Sequence, residues 1–305
     1  MSIDRRSFLS LAAGLAATGL GPVLPAHAAT VAAPMRRDIP GTTEALPVIG
    51  MGTADTFNAG TGADERKPLA EVLGLLLQTE GSVIDTAPSY GSAEAVTGDL
   101  LGAANARNRV FLATKISARS GAPAQAQWAR SLADLHVDKV DLLQVHNLID
   151  WQANLRWLRE LKEQGRIRYL GITHYREDAH EALEKIVRSE RVDFVQVNYS
   201  VAERNAERTL LPLCEARGVA VLVNRPFQDG RLFRVVKDHP LPEWAGDIDC
   251  GSWGQLFLKF IVSHPAVTAA IPATSKPRNM ADNLGAGLGR MPDPGQRERI
   301  AALLR

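Results

Sequence analysis

The chain has 305 residues, 45% of them hydrophobic, with 35 Lys and Arg against 34 Asp and Glu. That length suits one large core or two smaller ones, and the balanced charge offers neither a basic stripe for nucleic acid nor an acidic tail for a charged partner. The two cysteines, Cys214 and Cys250, leave room for one bridge but no disulfide framework, and without C-x-x-C or a mixed Cys/His cluster no metal site is expected.

At the N-terminus, Asp4-Arg5-Arg6-Ser7-Phe8-Leu9-Ser10 resembles the twin-arginine export signature. A mild apolar run, Leu11 to Leu20, follows, then Pro22, Pro25 and the small-x-small triplet Ala26-His27-Ala28. The run falls short of the roughly 20 apolar residues that a membrane span needs. Residues 1–29 therefore read as a cleaved signal peptide, with an amphipathic helix as the alternative. The first reading implies a periplasmic or secreted protein, a transient encounter with the twin-arginine export machinery and no stable membrane span. Residues 30–47, rich in Pro, Gly and Thr, read as a linker or an N-terminal hairpin.

A two-beat rhythm then fills residues 48–305. Val48–Met51 is the first expected strand, followed by a Gly- and Asp-rich loop that exposes Phe57 and a helix over about 67–78. Further strands are expected at 82–87, 110–116, 140–145, 169–173, 194–197, 219–223 and 267–271. Each is followed by helical sequence: about 92–101, 122–135, 151–164, 177–189, 205–217, 252–263 and 278–284, with a tail helix at 295–304. Gly165 and Gly218 stand where two helices should close. The strands are continuous apolar runs, as expected when both faces are covered. Eight such units predict an α/β protein, a single-domain (β/α)8 TIM barrel. An open doubly wound sheet is the alternative, but no G-x-G-x-x-G follows the first strand.

In a barrel the chemistry sits at the carboxyl ends of the strands. Strand two ends at Asp85; Ala-Pro-Ser breaks it, Tyr90-Gly91 turns, and Ser92 is placed to cap the next helix. Strand three ends at Lys115 and strand four at His146-Asn147. Singly, each reads as readily as a turn, snorkelling or satisfied core residue. Together they fit one reaction. A carbonyl that accepts hydride needs a proton; a phenol beside Lys⁺ can give it, an Asp can hold that Lys, and a His can orient the oxygen.

These residues resemble the catalytic tetrad of the aldo-keto reductases. Asp85-Thr-Ala-Pro-Ser-Tyr90-Gly matches that family's strand-two motif, with Lys115 and His146 in order after it, and the similarity runs from about Arg36 to Asn283. The resemblance implies a barrel that binds NADPH/NADP⁺, with NADH possible, and reduces an aldehyde or ketone with Tyr90 as proton donor. Its small-molecule carbonyl substrate is not readable, and oligomeric state is unmarked. The resemblance also implies cofactor contacts from Gly52, Thr53, Gln196 (to the nicotinamide amide) and Asn283 (to adenine). The stretch Thr274-Ser275-Lys276-Pro277-Arg278 suits phosphate on its own chemistry: two hydroxyls, two cations and a helix N-terminus.

The chain departs from the family pattern at Thr173-His174, at Asn224-Arg225-Pro226-Phe227 and at Asn279. His174 either replaces an amide contact or packs. Asn224 stands where an aromatic ring would stack on the nicotinamide, and Arg225 is assigned to the pyrophosphate from its charge. Trp151, Phe227 and Trp244 are the candidates for lining the substrate pocket. Two other functional readings remain: a catalytically weak NADP(H)-binding module, and an NAD(P)-dependent sugar or alcohol dehydrogenase.

Overall fold

The computed structural model describes residues 33–304; the signal-peptide reading of residues 1–29 lies outside them. An antiparallel hairpin comes first, β1 (Arg36–Asp38) with β2 (Ala45–Pro47). Then strands and helices alternate: β3 (Met51–Gly52), α1 (Ala63–Leu76), β4 (Ser82–Asp85), α2 (Ala93–Ala103), β5 (Val110–Ile116), α3 (Ala122–Asp134), β6 (Val140–His146) and α4 (Trp151–Glu163). The second half adds β7 (Ile167–His174), α5 (His180–Ser189), β8 (Phe194–Asn198), α6 (Leu210–Arg217), β9 (Ala220–Asn224), α7 (Arg231–Val235), α8 (Trp253–Val262), β10 (Ala269–Ala270), α9 (Pro277–Gly285) and α10 (Pro294–Ala302).

Strands β3 to β10 pair in sequence order, all parallel. Bridges from Ile49 to Ala270 and from Gly52 to Ala273 join the first strand to the last, so the sheet is an eight-stranded barrel ringed by helices. α1 starts four residues before the expected Lys67, where Asp64 and Glu65 suit the positive end of a helix; Pro68 then falls inside it and has no N–H to give the Asp64 carbonyl. Ser92 occupies the N-cap position of α2 without capping it; its hydroxyl donates to the Ala59 carbonyl (2.7 Å) and to Asn58 Oδ1 (3.1 Å). Gly218 closes α6 at φ 64°, as its position suggests.

Side chains alternate along a strand, so every second residue faces the barrel interior. Val83, Phe111, Ala113, Leu142, Tyr169, Phe194, Ala220, Leu222, Ala269 and Ile271 form one apolar cluster there, joined from below by Ile39 and Leu46 of the hairpin segment. Phe111, Tyr169 and Phe194 pack ring against ring at 5.4–5.8 Å. Outside this floor, Arg168 and Tyr169 both bond Glu44 at the hairpin. Two residues further along the same strands the interior turns polar with Asp85, Lys115, Gln144, Gln196 and Asn224, joined on β7 by Thr173, four residues beyond Tyr169. The outer faces of the strands and the inner faces of the helices form the larger core.

Gly171 is the interior residue of β7 between Tyr169 and Thr173. A Cβ there would lie 2.9 Å from the Phe194 carbonyl oxygen and 3.2 Å from Gln144 Cγ. The missing side chain makes the room that Gln144 occupies. Gly171→Ala is expected to cost about 1–3 kcal/mol through overpacking, read as a lower urea midpoint with an unchanged slope.

Candidate active site

Asp85 is the last residue of β4, and Lys115 lies across β5 from it, 0% exposed. Lys115 Nζ donates to Asp85 Oδ2 at 2.5 Å and to the Thr86 carbonyl at 2.9 Å. The second carboxylate oxygen, Oδ1, accepts from Gln196 Nε2 (2.8 Å) and from Gln144 Nε2 (3.1 Å). On the outer face of β5, Thr114 donates to the buried Glu94 of α2 at 2.5 Å, fixing the strand that carries Lys115. A charge buried this deeply is tolerable only when paired and fully hydrogen-bonded. Burial acts to lower the Lys115 pKa, but Asp85 and Tyr90 outweigh it and raise the value above the ordinary lysine range.

Tyr90 sits on the turn after β4, where its N–H donates to the Ala87 carbonyl. Gly91 follows at φ 64°, and a side chain there would overlap Asn58, whose Oδ1 accepts the Ser92 N–H. The Tyr90 ring lies 5.0 Å from Lys115 Nζ and edge-on to His146, with centroids 5.9 Å apart. Burial raises the phenol pKa, Lys115 opposes it and Asp85 adds to it; the result stands above the ordinary phenol range. Desolvation of the phenolate thus outweighs the neighbouring cation.

His146, 9% exposed, ends β6. Its Nδ1 lies 2.7 Å from Ser117 Oγ and 3.4 Å from Ser89 Oγ. Burial, then the charges of Lys115 and His174, push its pKa down to about 3, so the ring is neutral at physiological pH.

Above these residues opens a cleft of about 940 Å³, near the upper end of small-molecule sites. It runs from Asp85, Tyr90 and His146 past Gly52, Thr53, Gln196, Asn224 and Arg225 to Thr274, Asn279 and Asn283 at α9. Gln196 lines it, but its amide is engaged: Nε2 by Asp85 and Gln144, Oε1 by Thr173 (3.2 Å) and Asn224 (3.4 Å). Arg225 pairs with Asp229 at 2.6 Å and lies over the Tyr175 ring. Lys276 and Arg278 are exposed at the first turn of α9, off the cleft wall, and neither makes an ion pair among the described residues; Ser275 is half-buried beside them.

Of the two readings of His174, the structure shows packing. Its ring stacks on Tyr175 with centroids 5.5 Å apart, and Nδ1 accepts the Arg176 N–H, so it does not line the cleft. Phe57 is 0% exposed, because its N–H bonds back to the Thr53 carbonyl and the turn folds the ring into the outer core. Trp151 and Trp244 also pack against that core, away from the cleft. Phe227 does line the cleft, paired with Phe233 at 4.8 Å; Tyr175 is a third aromatic there.

Sequence reasoning missed Gln144, Ser117, Asn58 and Tyr175. Only Gln144 carried a signal: it stands two residues before His146 and so shares its face. Three cleft residues, Thr56, Asn147 and Asn224, hold a buried side-chain oxygen with no hydrogen-bond partner. Each such atom costs about 1–3 kcal/mol.

Comparison with known proteins adds a family. The model for the aldo/keto reductase family matches residues 48–297. "Methylglyoxal reductase YeaE" of Escherichia coli is 28% identical over 231 residues, 73% of this chain and 80% of its own. The E. coli "NADH-specific methylglyoxal reductase" is 30% identical over 196 residues, 54% and 58% of the two chains. Among solved structures, an aldo/keto reductase from Klebsiella pneumoniae in complex with NADP and acetate superposes with a TM-score of 0.73 at 25% identity, covering 87% of this chain and 94% of that one.

The depressed pKa of His146 fixes a pH dependence. Between pH 6.5 and about 3 the unfolded histidine binds a proton that the folded one does not, so stability falls as pH drops through that window. Urea midpoints at pH 4, 5 and 6 should give His146→Gln a shallower loss than the wild type, by about 1.4 kcal/mol per pH unit.

Proposed function

Since the chain belongs to the aldo/keto reductase family, we propose that it is an NADPH-dependent oxidoreductase that reduces a small aldehyde or ketone, with Tyr90 as the proton donor. The observation that carries this reading is the juxtaposition of Tyr90, Lys115, Asp85 and a neutral His146 at the floor of one cleft.

The residues present fit a nicotinamide dinucleotide. The cleft reaches from the Tyr90 phenol to Thr274, Asn279 and Asn283 at the start of α9, where the Thr274 and Ser275 hydroxyls and the exposed Lys276 and Arg278 cations suit phosphate. The buried, partnerless Oδ1 of Asn224 belongs to a residue that lines the same cleft. When bound, the nicotinamide supplies the hydride. The protein supplies the rest. Tyr90, its pKa raised, holds its proton across the physiological range and gives it to the carbonyl oxygen as negative charge develops there. Lys115 then stabilises the phenolate that is left, and Asp85 keeps Lys115 charged and in place. His146 lies with Nδ1 2.7 Å from Ser117 Oγ, and the tautomer in which that hydroxyl donates to Nδ1 leaves an Nε2–H to orient the carbonyl oxygen.

Two relatives are named as methylglyoxal reductases, and the cleft combines polar groups beside Tyr90 with an aromatic rim from Tyr175, Phe227 and Phe233. Short carbonyl compounds with a neighbouring oxygen, as well as aromatic aldehydes, are therefore the classes to assay. Residues 1–29 are proposed as an export signal. The intact mass of the exported protein should correspond to cleavage near Ala28; a full-length mass in that fraction would overturn the proposal.

Tyr90→Phe is expected to lower kcat for carbonyl reduction by at least about 10²-fold, while NADPH titration gives a dissociation constant within a few-fold of the wild type. In the wild type, reduction should be flat from pH 5 to 8 and fall only above the ordinary phenol range. Turnover that survives in the Phe variant would remove Tyr90 from this role.

A further inference from the structure

We propose that Asn224, rather than Gln196, holds the carboxamide of the nicotinamide ring. The inference deepens the dinucleotide reading above and rests on it. An amide side chain offers two N–H donors and two acceptor lone pairs. Gln196 has used all four: Nε2 donates to Asp85 Oδ1 at 2.8 Å and to Gln144 Oε1 at 3.4 Å, and Oε1 accepts from Thr173 Oγ1 at 3.2 Å and from Asn224 Nδ2 at 3.4 Å. Turning this amide toward a ligand would take a hydrogen bond away from the carboxylate that neutralises Lys115. The rest of the site depends on that carboxylate.

Asn224 is half satisfied. Its Nδ2 donates to Gln196 Oε1 and to the His174 carbonyl, both at 3.4 Å, while Oδ1 is buried without a partner. Asn224 lines the cleft, so this partnerless Oδ1 belongs to a residue of its wall. A partnerless acceptor on a cleft wall calls for a donor, and a primary carboxamide has two. Asn147 also holds a partnerless oxygen, but it directly follows His146 and belongs to the carbonyl end of the cleft. In this chain the last position of β9 thus recognises the ring through a hydrogen bond at its edge.

Calorimetric titration of the mature protein with three probes tests the assignment. The probes are NADP⁺, its 3-acetylpyridine analogue (a methyl ketone in place of the carboxamide, so no N–H) and 2′-phospho-ADP-ribose, which lacks the ring. The wild type should bind NADP⁺ about tenfold more tightly than the acetylpyridine analogue. Asn224→Leu should lose about tenfold toward NADP⁺ and leave the other two probes within twofold, so the preference disappears. Unchanged binding of 2′-phospho-ADP-ribose reports an intact fold; if the Leu variant does not fold, Asn224→Ala is read by the same criteria. A variant that keeps the tenfold preference, or a wild type that has none, overturns the role of Asn224 and leaves the dinucleotide reading standing. If the wild type binds none of the three probes, the dinucleotide reading itself falls, and this inference with it.

Discussion

The buried ammonium of Lys115 is the constraint around which the site is built. A lysine with no exposed surface, inside a barrel, stays charged only if a carboxylate meets it, and Asp85 does so at 2.5 Å. Removing one member of such a pair strands the other, at a cost of about 3–5 kcal/mol. The requirement then spreads outward. Asp85 needs donors for its second oxygen, which Gln144 and Gln196 supply; Gln196 in turn needs donors for its own carbonyl, which Thr173 and Asn224 supply. One charge thus sets the identity of interior residues on β4 through β9, and Gly171 leaves the space that one of them fills.

The same electrostatics assign the protonation states of the two groups nearest the cleft. Lys115 and burial act together on His146, both disfavouring its charged form. They act against each other on Tyr90, and burial prevails. A neutral imidazole and a protonated phenol therefore face the same volume. That combination suits an acceptor of hydrogen bonds such as a carbonyl oxygen, and it depends on how deep the site lies as much as on which residues compose it.

How much of this could be read from the sequence follows from what each residue's neighbours reveal. The eight strands were legible because a parallel barrel covers both faces of each strand, leaving continuous apolar runs broken only where the interior turns polar. Asp85, Lys115 and His146 stood out as those breaks. Gln144 shares the face of His146 but did not stand out, because a single amide within a strand resembles any other buried polar residue. Phe57 was misread since a Gly-rich loop gives no warning that one hydrogen bond will fold its ring inward. His174 lies at the last ladder position of β7, where alternation ceases to dictate direction. The positive-φ run at Arg225, Gln228 and Asp229 has no periodic signature, so the Arg225–Asp229 pair was visible only in three dimensions.

The aromatic layer of Phe111, Tyr169 and Phe194, closed from below by Ile39 and Leu46, makes the barrel a cup with a single mouth. Among the described residues that floor is apolar, and the Lys115 ammonium, with no exposed surface, stands between it and the cleft beside the Tyr90 ring. Whatever seats itself over Tyr90 therefore covers the side of the cup that lies above the ammonium as well.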